Sequence, residues 1–246
     1  MNPADEARYA RQIKLKQIGA AGQQQIQQSS VLIIGMGGLG SSAALYLAAA
    51  GIGQLIISDF DVVEESNLQR QIIHTQARLG QLKTHSAREQ IQALNPECQV
   101  ECIDYELVGD TLYQEINKAN IVLDCSDNFA TRFAVNRFCV ETATPLVSAA
   151  AIRMEGQILS YLPGSDGPCY QCLYGEQYEN AQTCESEGVL GPVVGVMGTL
   201  QALQALLILT AHSEQLKGKL LLFDGLNMQW QQVAVPKNPK CAVCAH

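Results

Sequence analysis

Residues 31–40 read Val-Leu-Ile-Ile-Gly-Met-Gly-Gly-Leu-Gly, an unbroken apolar run that ends in a glycine cluster. A run with no polar face reads as a strand buried on both sides, the kind that builds parallel sheets. Gly35, Gly37 and Gly40 follow with G-x-G-x-x-G spacing, and an Ala- and Leu-rich helix is predicted over 40–50. Strand, glycine turn and helix in that order make a phosphate cradle. Small residues admit close approach, and unpaired amides at the helix start face the anion. The same glycines would also serve mere tight packing of helix on strand, so spacing alone does not choose the ligand.

The pattern continues on both sides. A polar helical segment is expected over 4–28, broken at 18–22. Strands are predicted at 54–59, 100–105, 121–126 and 145–150, with helices over 77–94, 108–118 and 129–142 between them. Such alternation predicts an α/β fold: a Rossmann-like, mostly parallel sheet with helices on both faces. From Gly156 the pattern changes, and 157–162, 219–224 and 228–235 read as strands of a C-terminal antiparallel extension. With no repeat and no low-complexity linker, one domain over 1–246 is expected. It comprises a helical segment (1–28), a nucleotide-binding core (29–155) and a sheet extension with a cysteine-rich region (156–246).

The composition, 47% hydrophobic and 16% charged, is that of a folded chain. The formal charge of −8 argues against non-specific nucleic-acid binding, which needs a positive surface. The N-terminus lacks the apolar stretch of a signal peptide. Residues 188–211 are apolar enough to resemble a membrane span, but Pro192, the internal glycines, Gln201 and Gln204 favour a buried helix. A cytoplasmic protein, with neither membrane nor nucleic acid as partner, is therefore expected, and its nine cysteines should not form a disulfide scaffold. Four of them form two C-x-x-C pairs, Cys169/Cys172 and Cys241/Cys244. Two thiolates from each pair suit one tetrahedral structural zinc ion that clips the C-terminus to residues near 170. A redox role is the weaker reading, because neither pair clearly opens a helix.

The residues beyond the glycines discriminate between ligands. Asp59 closes the second predicted strand, where a carboxylate binds ribose hydroxyls. That much suits a nicotinamide or flavin oxidoreductase equally well. Arg70 and Lys83 follow, and they suit a longer, more highly charged phosphate tail than a dinucleotide carries. Asp127 lies just past a strand end, as a Mg²⁺ holder or as a helix cap. His74, His85, His212 and His246 fall outside this constellation and read as structural or solvated.

Taken together, RYARQ (8–12), VLIIGMGGLG, DFDVV-x-x-SNLQRQ (59–71), GQLK (80–83), NP (95–96), VLDCSDN (122–128), both C-x-x-C pairs and TCESEGVLGPVVGVMGTLQAL (183–203) resemble the ubiquitin-activating-enzyme superfamily in its small bacterial form. The similar branches are the adenylyltransferases of molybdopterin and thiazole synthesis. The resemblance spans essentially the whole chain. It implies ATP, Mg²⁺ and Zn²⁺ as cofactors, and adenylylation of the C-terminal glycine of a ubiquitin-like sulfur carrier ending in Gly-Gly. It also implies a homodimer, and a separate sulfurtransferase or cysteine desulfurase, since the chain stops soon after Cys244.

Carried over by motif, Gly35, Gly37, Gly38 and Gly40 line the nucleotide loop, with Asp59 at the ribose. Asn67, Arg70 and Lys83 lie around the triphosphate, Asp127 would hold or orient Mg²⁺, and Asp61 and Asn128 are further residues at the nucleotide. Arg11 resembles an arginine that reaches the phosphates from the neighbouring subunit. Cys184, otherwise read as an inert buried cysteine, matches one that bonds covalently to the carrier in some relatives. Leu82 departs from the proline common before the lysine and leaves the cation in place. Residues 152–158 lean to the molybdopterin branch and 191–203 to the thiazole branch, so one or both carriers remain open. Against these stand an NAD(P)- or FAD-dependent oxidoreductase and a non-catalytic partner-binding subunit. The former lacks a use for Arg70, Lys83 and the cysteine pairs; the latter would not need Arg11, Arg70, Lys83 and Asp127.

Overall fold

The computed structural model describes residues 3–175 and 187–245. The chain enters through helices α1 (Pro3–Ile13) and α2 (Gly19–Gln27). There follow β1 (Ser30–Ile34), α3 (Gly38–Ala50), β2 (Gln54–Ser58), α4 (Lys83–Leu94), β3 (Gln99–Ile103), α5 (Gly109–Lys118), β4 (Ile121–Asp124) and α6 (Phe129–Glu141). The second half contains β5 (Leu146–Ile152), β6 (Glu155–Tyr161), α7 (Tyr170–Tyr174), α8 (Gly191–Leu209), β7 (Lys219–Asp224) and β8 (Gln229–Ala234).

All eight strands form one sheet in the order β3-β2-β1-β4-β5-β6-β7-β8. Pairing is parallel from β3 to β5 and antiparallel from β5 to β8, as the change of pattern near Gly156 predicts. Because the chain runs outward from β1 to β3 and then returns to β4 on the other side, the turns after β1 and β4 diverge. That opens a crevice at their carboxyl ends, the place where open α/β sheets bind ligands.

Alternate residues of each central strand serve opposite faces. Ile33, Ile57, Leu123 and Val147 pack with α3, α4 and α8, while Leu32, Ile56 and Val122 pack with α5 and α6. Each fully buried aliphatic side chain contributes about 1.5–3 kcal/mol. The small residues of α3 let α8 cross closely. At Gly198 an added Cβ would strike the Leu39 carbonyl and the Ser42 hydroxyl.

Among the described residues α8 is the one helix long and apolar enough to cross a membrane. Its own bonds place it in the core instead. Gln201 donates from Nε2 to the carbonyls of Asp124 (2.9 Å) and Val147 (3.1 Å), and Gln204 accepts from the Ser160 hydroxyl at 2.7 Å. Pro192 lies in the first turn, where its missing N–H costs nothing.

Three helical segments differ from the sequence expectation. The N-terminal one breaks at 14–18 rather than 18–22, since α2 already begins at Gly19. α3 starts at Gly38, so Gly40 lies inside it, close against the carbonyl of Gly35. The helix expected over 77–94 is interrupted. A 3₁₀ turn at Gln76–Arg78 leads to Gly80 with φ of +78°, and the α-helix begins only at Lys83. The interruption matters, because it puts a lysine at a helix N-terminus, where the macrodipole disfavours a cation unless an anion is near.

Candidate active site

Three turns meet at the carboxyl edge of the sheet. The first, after β1, begins with Gly35 at φ +94°, and a Cβ there would lie 2.8 Å from the carbonyl oxygen of Cys125 in the turn after β4. No other residue fits this left-handed, close-packed position without strain. Met36 N–H donates to Asp59 Oδ2 at 2.8 Å, tying the glycine loop to the end of β2. A Cβ added at Gly38 would strike Val194 of α8 and lie 3.3 Å from the Arg70 carbonyl oxygen. Of the predicted loop residues, Gly35 and Gly37 form the turn and Gly38 opens α3, while Gly40 packs inside the helix against the Gly35 carbonyl.

The second turn carries the charges. Asp59 also accepts the Asp61 N–H at 2.9 Å, and burial raises its carboxyl above the usual range against the pull of Lys83. Lys83 is 7% exposed. Its Nζ lies 2.7 Å from Asp61 Oδ2 and 4.0 Å from Asp59 Oδ1, and its N–H donates to the Asp61 carbonyl at 2.9 Å. Asp61 thus grips both the backbone and the side chain of Lys83. Asn67 is buried in a 3₁₀ turn (Glu65–Asn67), and its carbonyl accepts the N–H groups of Arg70 and Gln71. Arg70 is half-buried, donates to the Ser66 carbonyl at 3.1 Å, and has no acidic partner among the described residues.

The third turn, after β4, excludes one of the two readings of Asp127, the helix cap. Asn128, not Asp127, caps α6, its Oδ1 accepting the Thr131 N–H at 2.9 Å. Asp127 is exposed, with no bond to its carboxylate among the described residues. The turn itself is fixed from beneath by a buried network that sequence reading missed. Asp124 accepts from the Ser126 hydroxyl (2.6 Å), the Ser126 N–H (3.1 Å) and the Ser148 hydroxyl (2.8 Å). Arg132 lies over it, donating to the carbonyls of Ser126 and Ala149. The available signal was an arginine one turn beyond the cap, in step with Val135, Asn136 and Cys139 on the buried face of α6.

Arg11 is not brought to this crevice. α1 docks at the far end of α3, where Gln12 Nε2 donates to the Ala50 carbonyl at 3.1 Å and Tyr9 packs on Gly51. A helix of 13 residues spans roughly 20 Å. Cys184 lies outside the described residues.

Away from the crevice, Cys169, Cys172, Cys241 and Cys244 converge with all four Sγ atoms within 4.8 Å of one another. The separations of 4.0 Å (Cys169–Cys172), 3.7 Å (Cys169–Cys241) and 3.4 Å (Cys172–Cys244) bracket the edge of about 3.8 Å of a tetrahedron with Zn–S arms of ~2.3 Å. Burial pushes the Cys169 thiol up, and the Cys244 thiol up to about 11, whereas at Cys241 burial is outweighed by hydrogen bonds, which bring the thiol down. The four-cysteine cluster fits a zinc site with no open position.

The sequence and fold match known proteins along nearly their whole extent. The model of the ThiF family matches residues 9–243. The chain is 45% identical over 244 residues to the sulfur carrier protein ThiS adenylyltransferase of Escherichia coli (strain K12), covering 99% of this chain and 97% of that protein. It is 41% identical over 237 residues to the molybdopterin-synthase adenylyltransferase of Salmonella typhimurium, covering 96% and 95%. A crystal structure of E. coli MccB with ATP is similar with a TM-score of 0.83 at 25% identity, covering 99% of this chain and 75% of that one. With its glycine loop, charged turn and cysteine cluster all inside the matched span, this chain belongs to the ThiF family.

Proposed function

We propose that this chain is an adenylyltransferase that joins AMP to the C-terminal glycine of a small ubiquitin-like sulfur carrier, for thiamine or molybdopterin biosynthesis. The observation that carries the reading is the meeting of the glycine loop, Arg70, Lys83 and Asp127 at the sheet's switch point. Relatives that align end to end bear names for this activity.

A C-terminal carboxyl has a reference pKa of about 3.5, so at neutral pH it is already ionised and needs no general base. One carboxylate oxygen attacks the α-phosphorus of ATP. The bond from that phosphorus to the bridging oxygen breaks, and pyrophosphate leaves with the electron pair. The barrier lies in bringing two anions together and in carrying charge onto the leaving group. The loop amides hold the phosphate chain, Asp59 the ribose, and Arg70 and Lys83 the departing phosphates. The exposed carboxylate of Asp127, unbonded among the described residues, is suited to hold Mg²⁺, which when bound neutralises phosphate charge. The cysteine cluster would hold zinc structurally, fastening the C-terminal residues to α7.

Arg11, far from its own crevice, would serve that of a second copy. The exposed apolar side chains Tyr46, Val196 and Leu203 on the packed pair α3 and α8 support such a homodimer. Sulfur would then reach the adenylate from a separate sulfurtransferase or desulfurase, with Cys184 available for covalent carrier attachment.

The test offers thiazole-type and molybdopterin-type carriers separately with ATP labelled at the α-phosphate. Labelled acyl adenylate and carrier-dependent pyrophosphate release are expected with at least one. Tight binding of a nicotinamide dinucleotide, with no pyrophosphate from either carrier, would overturn the reading.

A further inference from the structure

His74 sits between Arg70 and Lys83 in sequence, and it is buried at 4% exposure. Its ring has two polar neighbours. Nε2 lies 3.0 Å from the carbonyl oxygen of Met36, and Nδ1 lies 2.9 Å from the Ser86 hydroxyl. A carbonyl oxygen only accepts, so Nε2 carries the proton. In the neutral ring Nδ1 is then bare and accepts the Ser86 O–H. Burial lowers the pKa of the ring, the Met36 contact opposes that, and the nearby charges of Lys83 and Arg78 lower it further.

Each neighbour belongs to a different arm of the crevice. Met36 is the residue between Gly35 and Gly37, and its N–H is already taken by Asp59. With His74 on its carbonyl, both polar backbone groups of this loop residue are fastened. Ser86 lies on α4, one turn after Lys83, where its own carbonyl accepts from Arg78 Nη1 at 2.9 Å. The imidazole therefore spans from the glycine loop to the helix that begins with Lys83.

We infer that His74 is a positioning residue for the nucleotide: by donating to Met36 and accepting from Ser86, it sets the distance between the glycine-loop amides and Lys83. Both must meet one phosphate chain, and errors near 1 Å in such an arrangement are costly. The inference rests on the ATP reading above, and its test separates the two.

The experiment uses the full chain. Nitrogen-15 NMR of the nucleotide-free protein should show the Nε2-protonated tautomer for His74, persisting below pH 6.5. ATP titration of His74→Phe, which keeps the ring but loses both bonds, should show affinity weaker by roughly tenfold or more. The KM for the carrier should stay within about twofold of the wild-type value. His74→Gln, whose amide still donates to Met36, should recover most of the loss. Should His74→Phe not fold, Ser86→Ala deletes the second partner and is expected to weaken ATP binding several-fold. A ring protonated at Nδ1, or ATP affinity unmoved in every folded variant, would overturn the inference. A wild-type chain that does not bind ATP would sink the functional reading instead, while the tautomer still decides the His74 contact.

Discussion

Replacing Arg132 by leucine tests the buried polar network beneath the turn after β4. The guanidinium is 6% exposed and 3.7 Å from the Asp124 carboxylate. It donates to the Ala149 carbonyl at 2.8 Å, the Ser148 hydroxyl at 3.3 Å and the Ser126 carbonyl. Leucine would leave two carbonyls short of a partner and a buried carboxylate without its counter-charge. Removing one partner of a buried ion pair costs about 3–5 kcal/mol. At roughly 2–4 °C per kcal/mol for a chain of this size, Tm should fall by about 6–20 °C. Urea denaturation with zinc kept saturating gives the free energy, and an unchanged m-value would show that the denatured state is not the cause. Much of the cost is the stranded charge, so introducing the change on an Asp124→Asn background should be milder, about 1–3 kcal/mol, from unpaired carbonyls alone. A loss below about 1 kcal/mol for Arg132→Leu, or an equal loss on both backgrounds, would refute this reasoning.

Gly35→Ala places a Cβ 2.8 Å from the Cys125 carbonyl at φ +94° and should destabilise by about 1–3 kcal/mol with at least tenfold weaker ATP binding, read by calorimetry. Asp127→Ala should leave Tm within ~2 °C while lowering ATP–pyrophosphate exchange far more, because Asn128 does the capping; unchanged exchange would remove Asp127 from the reaction. Asn128→Ala should cost ~1 kcal/mol. Cys241→Ser should reduce bound zinc in metal analysis and speed proteolysis beyond Pro236, whereas full zinc retention would disprove the site. For His74 the folded pKa lies below the unfolded value near 6.5, so the unfolded chain takes up the proton first. Stability should hold above that pH and fall as pH drops below it, and His74→Phe should flatten this part of the urea-midpoint profile.

Much of the fold is legible in the sequence because burial on two faces leaves a plain mark. The apolar runs at 31–34, 55–57 and 121–123 have no polar alternation, and each lies in a parallel strand flanked on both sides. The cysteine cluster is equally plain, since paired thiols at C-x-x-C spacing have few other uses. What stayed hidden depends on tertiary partners. Nothing local says that Asp61 folds back onto Lys83, because the antiparallel bridge between Val62 and Leu82 closes only in three dimensions. His74 reads as structural or solvated, with no role of its own, until Met36 and Ser86 are placed beside it. Likewise, the break before Lys83 follows from the left-handed backbone at Gly80, which helical periodicity over 77–94 does not reveal.

Charge at the crevice links the proposed metal, the proposed second subunit and the proposed substrate. Asp59, Asp61 and Asp127 contribute three carboxylates, and Arg70 and Lys83 two cations, so these five side chains bring no net positive charge to a highly charged triphosphate, and a single chain attracts it mainly through the loop amides. Lys83 is moreover already paired with Asp61 at 2.7 Å. On the proposed reading, the balance is made up by Mg²⁺ at Asp127 and by Arg11 arriving from a second copy. Each is withheld from the isolated chain, the first as a separate ion and the second by the length of α3. A site built this way would be complete only when nucleotide, metal and partner subunit coincide, which confines pyrophosphate release to the assembled enzyme. Dilution below the dimer's dissociation constant should therefore abolish exchange more steeply than it lowers ATP binding, because the loop amides and Lys83 remain in each separate chain.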